Sequence, residues 1–163
     1  MKQEQVIQVM NDPLAHDLLN SNIPARLAYI GLDGCPRAIP IGFLWTGSHF
    51  VIGTATNSPK MNALQTNPHV ALTIDTTTMP PHILLVRGSA RVETVEGVAP
   101  EYLEGSKRYV PPEQWEEFEQ QVRALYKQQG LITIVPEWAK ILDFETRLPQ
   151  AQEELMRQDA GHR

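Results

Sequence analysis

The first twenty residues place apolar positions at helical spacing. Val6, Ile7, Val9 and Met10 come first, Pro13 interrupts, and Leu14, Leu18 and Leu19 then share a face. Asp12 before Pro13 is a fitting helix cap, with proline at the first helical position. From Arg26 the pattern turns to strands. Leu27-Ala28-Tyr29-Ile30-Gly31-Leu32 leads into Asp33-Gly34, a strong hairpin signal, and then into a strand over 37–45. Pro40 inside that strand cannot donate to a ladder, so an edge, a bulge or a barrel corner is expected there. A turn at Thr46-Gly47-Ser48 precedes a third strand over 49–54. The three form an antiparallel meander.

Asn57-Ser58-Pro59-Lys60 then opens a helix that Asn67-Pro68 stops. A fourth strand covers 70–75 and a long fifth covers 82–93, with Gly88 as its expected bulge. Residues 97–129 read as helical in two parts, split near Pro111-Pro112, and Gly130 suits the residue just past a helix end. Trp115, Phe118, Val122, Leu125 and Tyr126 form the apolar stripe of the second part. Two further strands, 131–135 and 139–144, flank Pro136-Glu137-Trp138. After Pro149 the chain is polar, a frayed or loose helix. About seven antiparallel strands with inserted helices predict a mainly β fold, a barrel or curled sheet whose closure hides strand edges. One domain over 1–163 is expected, with a helical N-terminus (about 1–22) and a polar C-terminal tail (about 150–163).

Composition narrows the function classes. With 163 residues and 42% hydrophobic content, the chain can bury a core without staples. Its formal net charge of -5 argues against a nucleic-acid or anionic-membrane surface. The longest apolar run within the fifth strand has four residues, far short of the ~18 of a membrane span. One cysteine and a polar start point to a reducing, cytoplasmic setting. There is no Gly-x-Gly-x-x-Gly, Walker loop or Gly-x-Ser-x-Gly elbow. His16, His49, His69, His82 and His162 are scattered, so no metal site is expected.

The segment with specific chemistry is Thr54-Ala55-Thr56-Asn57-Ser58-Pro59-Lys60. Ser58 is a preferred cap and Pro59 fits the first helical position. The helix start presents N–H groups around Lys60 and Met61 and the positive dipole end, a setting for an anion. Lys60 adds a full charge, and Thr54, Thr56 and Ser58 add hydroxyls, together enough to grip a phosphate monoester. An ordinary capped helix with a solvated lysine is the competing reading.

In order and spacing, Gly34-Cys35-Pro36-Arg37-Ala38-Ile39-Pro40, the Thr54 to Lys60 segment and Asn67-Pro68-His69-Val70-Ala71-Leu72 resemble the pyridoxamine 5′-phosphate oxidase-like flavin-binding split barrels. Val86-Arg87-Gly88-Ser89-Ala90 and the stretch from Leu131 to Trp138 extend the likeness over most of the chain. The resemblance implies a six-stranded antiparallel split β-barrel, a homodimer, and flavin in grooves at the dimer interface. It implies that Lys60 contacts the flavin phosphate and that the strand carrying Ile39, Pro40 and Ile41 runs beside the ring. Thr54, Ala55 and Thr56 then line the ring or ribityl chain, with Ser58 beside the phosphate. Trp138 either reaches the ring from the other subunit or plugs the core or interface. Arg87 faces the pocket or a surface ion pair. Arg147-Leu148-Pro149 departs from the family's C-terminal Arg-Leu-x-Pro, so the vitamin B6 oxidase activity is not what the likeness points to. The expected activity is an FMN-dependent oxidoreductase acting on a small molecule, with no protein acid or base marked. The deazaflavin F420 is the second cofactor, and a non-enzymatic flavin or haem carrier, with His69 and His82 as conceivable ligands, is the alternative class.

Overall fold

The computed structural model of the chain describes residues 1–160. Helices α1 (Gln3–Met10) and α2 (Pro13–Asn20) come first, and the Asp12 carboxylate caps α2 by accepting from the Leu14 N–H at 2.9 Å. Seven strands follow: β1 (Ala25–Ile30), β2 (Pro36–Ile41), β3 (Leu44–Trp45), β4 (Phe50–Thr54), β5 (His69–Asp75), β6 (Ile83–Glu96) and β7 (Gln128–Leu142). Helix α3 (Pro59–Thr66) links β4 to β5. Helices α4 (Pro100–Ser106) and α5 (Trp115–Leu125) lie between β6 and β7, and α6 (Gln150–Ala160) forms the described part of the polar tail. Gly161, His162 and Arg163 lie outside the described residues.

All seven strands pair antiparallel in one sheet, in the order β2-β1-β5-β6-β7-β4-β3. The two end strands, β2 and β3, are consecutive in the chain. Only Gly42 and Phe43 separate Ile41 from Leu44, so the opposite sheet edges cannot lie more than about 11 Å apart. The sheet therefore curls into a barrel that stays open along one seam, the split barrel expected from the sequence. Proline at position 40 is tolerated because β2 is an edge strand.

Alternation fixes which residues face inward. In β1, Ala25, Leu27 and Tyr29 are buried while Arg26 and Ile30 are exposed. Leu27, Ile52, Leu72, Leu84, Ile132 and Ile134 meet inside the barrel, each at most 2% exposed. Val6, Met10, Leu18 and Leu19 from α1 and α2 join the same cluster, so the N-terminal helices cover one opening of the barrel. Each such burial contributes about 1.5–3 kcal/mol.

Several boundaries differ from the sequence expectation. The strand expected over 37–45 breaks at Gly42-Phe43, where the chain crosses from one sheet edge to the other. Residues 97–129 are not all helical: β6 runs to Glu96, and Gln128 and Gln129 belong to β7, where Glu96 pairs with Gln128. Gly130 is thus a strand residue rather than a helix stop. Its bare Cα faces Met61, and an added Cβ would lie 2.8 Å from the Met61 Sδ. The two late strands are one, β7, because the ladder to β6 continues through Pro136 by a bulge. Arg87 pairs with Trp138 and Gly88 with Pro136, leaving Glu137 as the extra residue. The bulge sits at Gly88, as read from the sequence.

Beyond β7, Asp143 organises a tight turn in which Phe144 adopts φ 58°. Its carboxylate accepts the N–H groups of Glu145, Thr146 and Arg147 at 2.8–2.9 Å and the Thr146 hydroxyl at 2.7 Å. Arg147 ties the turn to Asp12 at the start of α2, at 2.9 Å. The Glu145 N–H and the other donors hold the Asp143 carboxyl well below the usual carboxylate range. A depressed folded-state pKa contributes stability that is present above the unfolded pKa and lost as pH falls toward the folded one. Wild-type stability is therefore expected to decline below about pH 4 as this carboxylate protonates. Asp143→Asn should lower the melting temperature at pH 7 and flatten that acid limb. An unchanged acid limb in thermal melts from pH 7 to 2 would assign it to other carboxylates.

Candidate functional site

A cavity of about 340 Å³ opens on the seam side of the barrel. Its floor is made by the end of β2, the Gly42-Phe43 link and β3–β4, and its roof by α4 and the start of α5. Ile41, Thr54 and Lys60 line it from the barrel side. Tyr102, Ser106 and Tyr109 line it from the roof.

Local sequence explains the roof. Gly53 carries no side chain on the face where Tyr102 lies, and a Cβ there would sit 2.5 Å from the Tyr102 ring. Gly105 lets α4 touch the link, since a Cβ would be 3.0 Å from the Phe43 carbonyl oxygen. Gln129, fully buried, accepts the Ala99 N–H at 2.9 Å and so fixes the start of α4. Beyond α4 the Arg108 guanidinium donates to the carbonyls of Leu19 and Phe43 and to the Tyr109 hydroxyl. It also lies over the Phe43 ring, 4.2 Å from the centroid. These bonds tie the roof to both the link and α2. Burial lowers the Arg108 pKa, and no carboxylate among the described residues pairs with it.

At the barrel side, Pro59 starts α3 and Ser58 holds the cap position, as expected. The Ser58 hydroxyl does not cap, however. It accepts a hydrogen bond from Lys60 Nζ at 2.8 Å. The Met61 N–H is also committed, to the Ser58 carbonyl at 2.9 Å. The anion-binding groups of this helix start are therefore fewer than the sequence reading assumed, and the Lys60 charge is the main one. Lys60 is half-buried, burial pushes its pKa down, and no described carboxylate is within ion-pair reach. A partly desolvated cation without a counter-charge favours an anion. A phosphate monoester, with Thr54 and Ser58 hydroxyls nearby in the chain, fits this donor set.

The other residues singled out from sequence divide into two groups. Ile39 is half-buried and Pro40 exposed on β2, Ala55 half-buried and Thr56 exposed in the loop after β4, and none of them lines the cavity. Arg87 and Trp138 lie opposite one another on the outer face of β6 and β7, the guanidinium carbon 4.2 Å from the Trp138 ring centroid. Arg87 thus faces neither this cavity nor a carboxylate, and Trp138 is not a core plug. Tyr102 and Tyr109 are absent from the sequence reading: Tyr102 stands in α4 and Tyr109 three residues past its end, and no motif marks either. Among the described residues no group of three or more His, Cys, Asp or Glu side chains is placed to hold a metal ion.

Comparison with known proteins is consistent with this geometry. The profile of a family described as pyridoxamine 5′-phosphate oxidase matches residues 12–139. Among curated proteins none matches. A solved F420 reductase is similar in fold, with TM-score 0.60 and 24% identity over 77% of this chain and 94% of its own. A conserved hypothetical protein from Mycobacterium tuberculosis has TM-score 0.60 and 22% identity over 92% and 90%. HutZ, the haem storage protein from Vibrio cholerae, has TM-score 0.56 and 14% identity over 81% and 93%. At these identities the three share a fold with this chain. With the profile spanning most of its length, the chain belongs to the pyridoxamine 5′-phosphate oxidase family.

Proposed function

We propose that this protein is a flavin-nucleotide-dependent oxidoreductase, with FMN as its cofactor. The observation that carries the reading is the half-buried, carboxylate-free Lys60 at the start of α3, on the wall of a cavity large enough for a small ligand. A bound flavin supplies hydride chemistry, and the chain supplies orientation and exclusion of water. In this reading Lys60 and Ser58 meet the phosphate. Thr54 follows the ribityl chain and Ile41 flanks the ring, while Ile39, Pro40, Ala55 and Thr56, expected beside the flavin from the sequence, lie outside this cavity.

F420 is the alternative cofactor, supported by the fold shared with an F420 reductase. Its polyglutamyl tail prefers a basic groove. Glu101 lines the cavity and Glu116 and Glu117 are exposed on the neighbouring helix, so the roof side favours the tail-free FMN. Haem storage on this fold is represented by HutZ. His69 is exposed and His82 half-buried, and neither lines the cavity, which favours flavin over haem. The deciding experiment is the absorption spectrum of purified protein with mass identification of the released ligand. A band near 450 nm and FMN are expected. A Soret band or F420 would overturn the FMN reading.

Dimerisation belongs to the same proposal. The outer faces of β1, β5, β6 and β7 carry half-buried Ala28, Ala71, Leu85 and Trp138, together with Val135 at 47% exposure. In this reading a second copy seated there covers the Arg87–Trp138 pair. Light scattering should give about twice the 18.4 kDa chain mass. A monomer at micromolar concentration would rule the arrangement out. No helix among the described residues is long and apolar enough to cross a membrane. The lone Cys35, exposed in the β1–β2 turn, suits the cytoplasmic location proposed here.

A further inference from the structure

Helix α5 is joined to the rest of the molecule without a single directional bond. Among the described residues, no hydrogen bond or ion pair connects 111–126 to a residue outside that stretch. The polar side chains of α5 bond along the helix instead, Gln120 to Glu116, Gln121 to Glu117 and Arg123 to Glu119. Lys107 Nζ, 5.8 Å from the Trp115 ring centroid, is paired with Glu104 at 2.8 Å. What seats α5 is a small apolar cluster separate from the barrel core. Val122, its one buried residue, clusters there with Val98 and Leu103, and Phe118 stacks on Tyr102 with centroids 6.4 Å apart. Helix α4 is held differently, by the Gln129 bond at its start and the Arg108 bonds beyond its end.

Both ends of the stretch are built as pivots. Pro111 and Pro112 have no N–H to anchor them, and Pro111 is extended, with φ -58° and ψ 144°. Tyr126 is extended at the other end, just before the Lys127 carbonyl accepts the Gly97 N–H at 2.8 Å. There is also room to move. A second cavity, of about 280 Å³, lies between α5 and the Tyr109-Val110-Pro111 link, and Phe118 lines both it and the first cavity. We propose that α5 is a lid: it lifts from α4 as a unit to let the ligand pass and reseats over it, with Phe118 at its inner edge. The inference rests on the flavin reading only for the identity of that ligand. Apolar seating is non-directional, so α5 can part from α4 without breaking a hydrogen bond. The Glu119 to Arg123 pair and the two glutamine bonds keep it helical while it is lifted. Segments with so little buried apolar contact open locally, well below the cost of unfolding the barrel.

Native-state hydrogen exchange on the ligand-free protein, repeated at rising urea, reads the opening. Amides of 118–125 should exchange about 100-fold or more faster than the central amides of β6 and β7, with a smaller urea slope. The α4 amides of Leu103 and Gly105 should follow β6 and β7. Val122 lines neither cavity, so Val122→Ala acts on the seat of the lid and not on the site. It should raise α5 opening by about tenfold. Stopped-flow titration should then show FMN associating and dissociating about tenfold faster in the variant, with Kd within about twofold, because entry and exit pass the same lid. Amides of α5 that share the rate and slope of β6 and β7, or α4 amides that open with α5, would overturn the lid. So would unchanged FMN rates in a variant whose α5 opens faster. If no FMN binds the wild type and α5 still opens alone, the flavin reading is overturned and the lid is not.

Discussion

Replacing Lys60 with alanine is expected to weaken FMN binding by about 10- to 100-fold while leaving riboflavin nearly unaffected. The difference isolates the phosphate, which riboflavin lacks. A hydrogen bond to a charged group is worth roughly 1.5–3 kcal/mol, and each 1.4 kcal/mol is about tenfold in affinity. The upper part of the range applies because Lys60 is half-buried and has no carboxylate among the described residues to share its charge. Ser58 gives a check on the mechanism. Its hydroxyl is the partner Lys60 Nζ has in the free protein, at 2.8 Å, and the phosphate must compete for that ammonium. Fluorescence titration of both ligands with both proteins measures the effect. Equal losses for FMN and riboflavin would remove Lys60 from the phosphate site, and with it the main support for a nucleotide cofactor.

Gly88→Val is expected to destabilise the fold more than any substitution in the cavity. A Cβ at Gly88 would lie 2.2 Å from the Val135 carbonyl oxygen and 3.0 Å from its carbon. The obstacle is backbone, so no side chain can swing aside. Gly88 is also the point at which β6 and β7 change register, with Glu137 bulged out. These two strands share the longest ladder of the sheet and join both halves of the barrel. Overpacking in a core typically costs about 1–3 kcal/mol, and this site should reach or exceed the upper end. Urea unfolding should show a lower midpoint with an unchanged slope. A loss under about 1 kcal/mol would mean the bulge slides to accommodate the new side chain.

The same bulge marks the boundary between what the sequence by itself determined and what the tertiary structure decided. Local signals were sufficient wherever one short stretch sets its own conformation. Asp33-Gly34 announced the β1–β2 hairpin, Asp12-Pro13 the start of α2, Ser58-Pro59 the start of α3, and Asn67-Pro68 its end. The alternation of Ala25, Leu27 and Tyr29 against Arg26 and Ile30 gave β1 its inner face. Gly88 could be read as a bulge because glycine weakens a strand that otherwise looks continuous. Order and spacing of these pieces were enough for the split barrel, and the Lys60 charge at a helix start was enough for a candidate anion site.

Long-range pairing decided the rest. Residues 128–130 carry a pattern compatible with a helix end, and they became strand because Glu96, far away in sequence, offered a ladder partner. Backbone bonds between distant residues outweighed local preference, which differs by about 1 kcal/mol or less per residue. The competition for the Ser58 hydroxyl was equally invisible, since Lys60 and a cap are both plausible partners and packing chose the lysine. Arg87 and Trp138 were separate candidates until the Glu137 bulge brought them into register on the outer face. Tyr109 had no motif to mark it. Its place on the cavity wall comes from Arg108, from the bare Gly42 beneath its ring, and from the fold of α4 over the barrel seam, three contacts that exist only once the strands have closed.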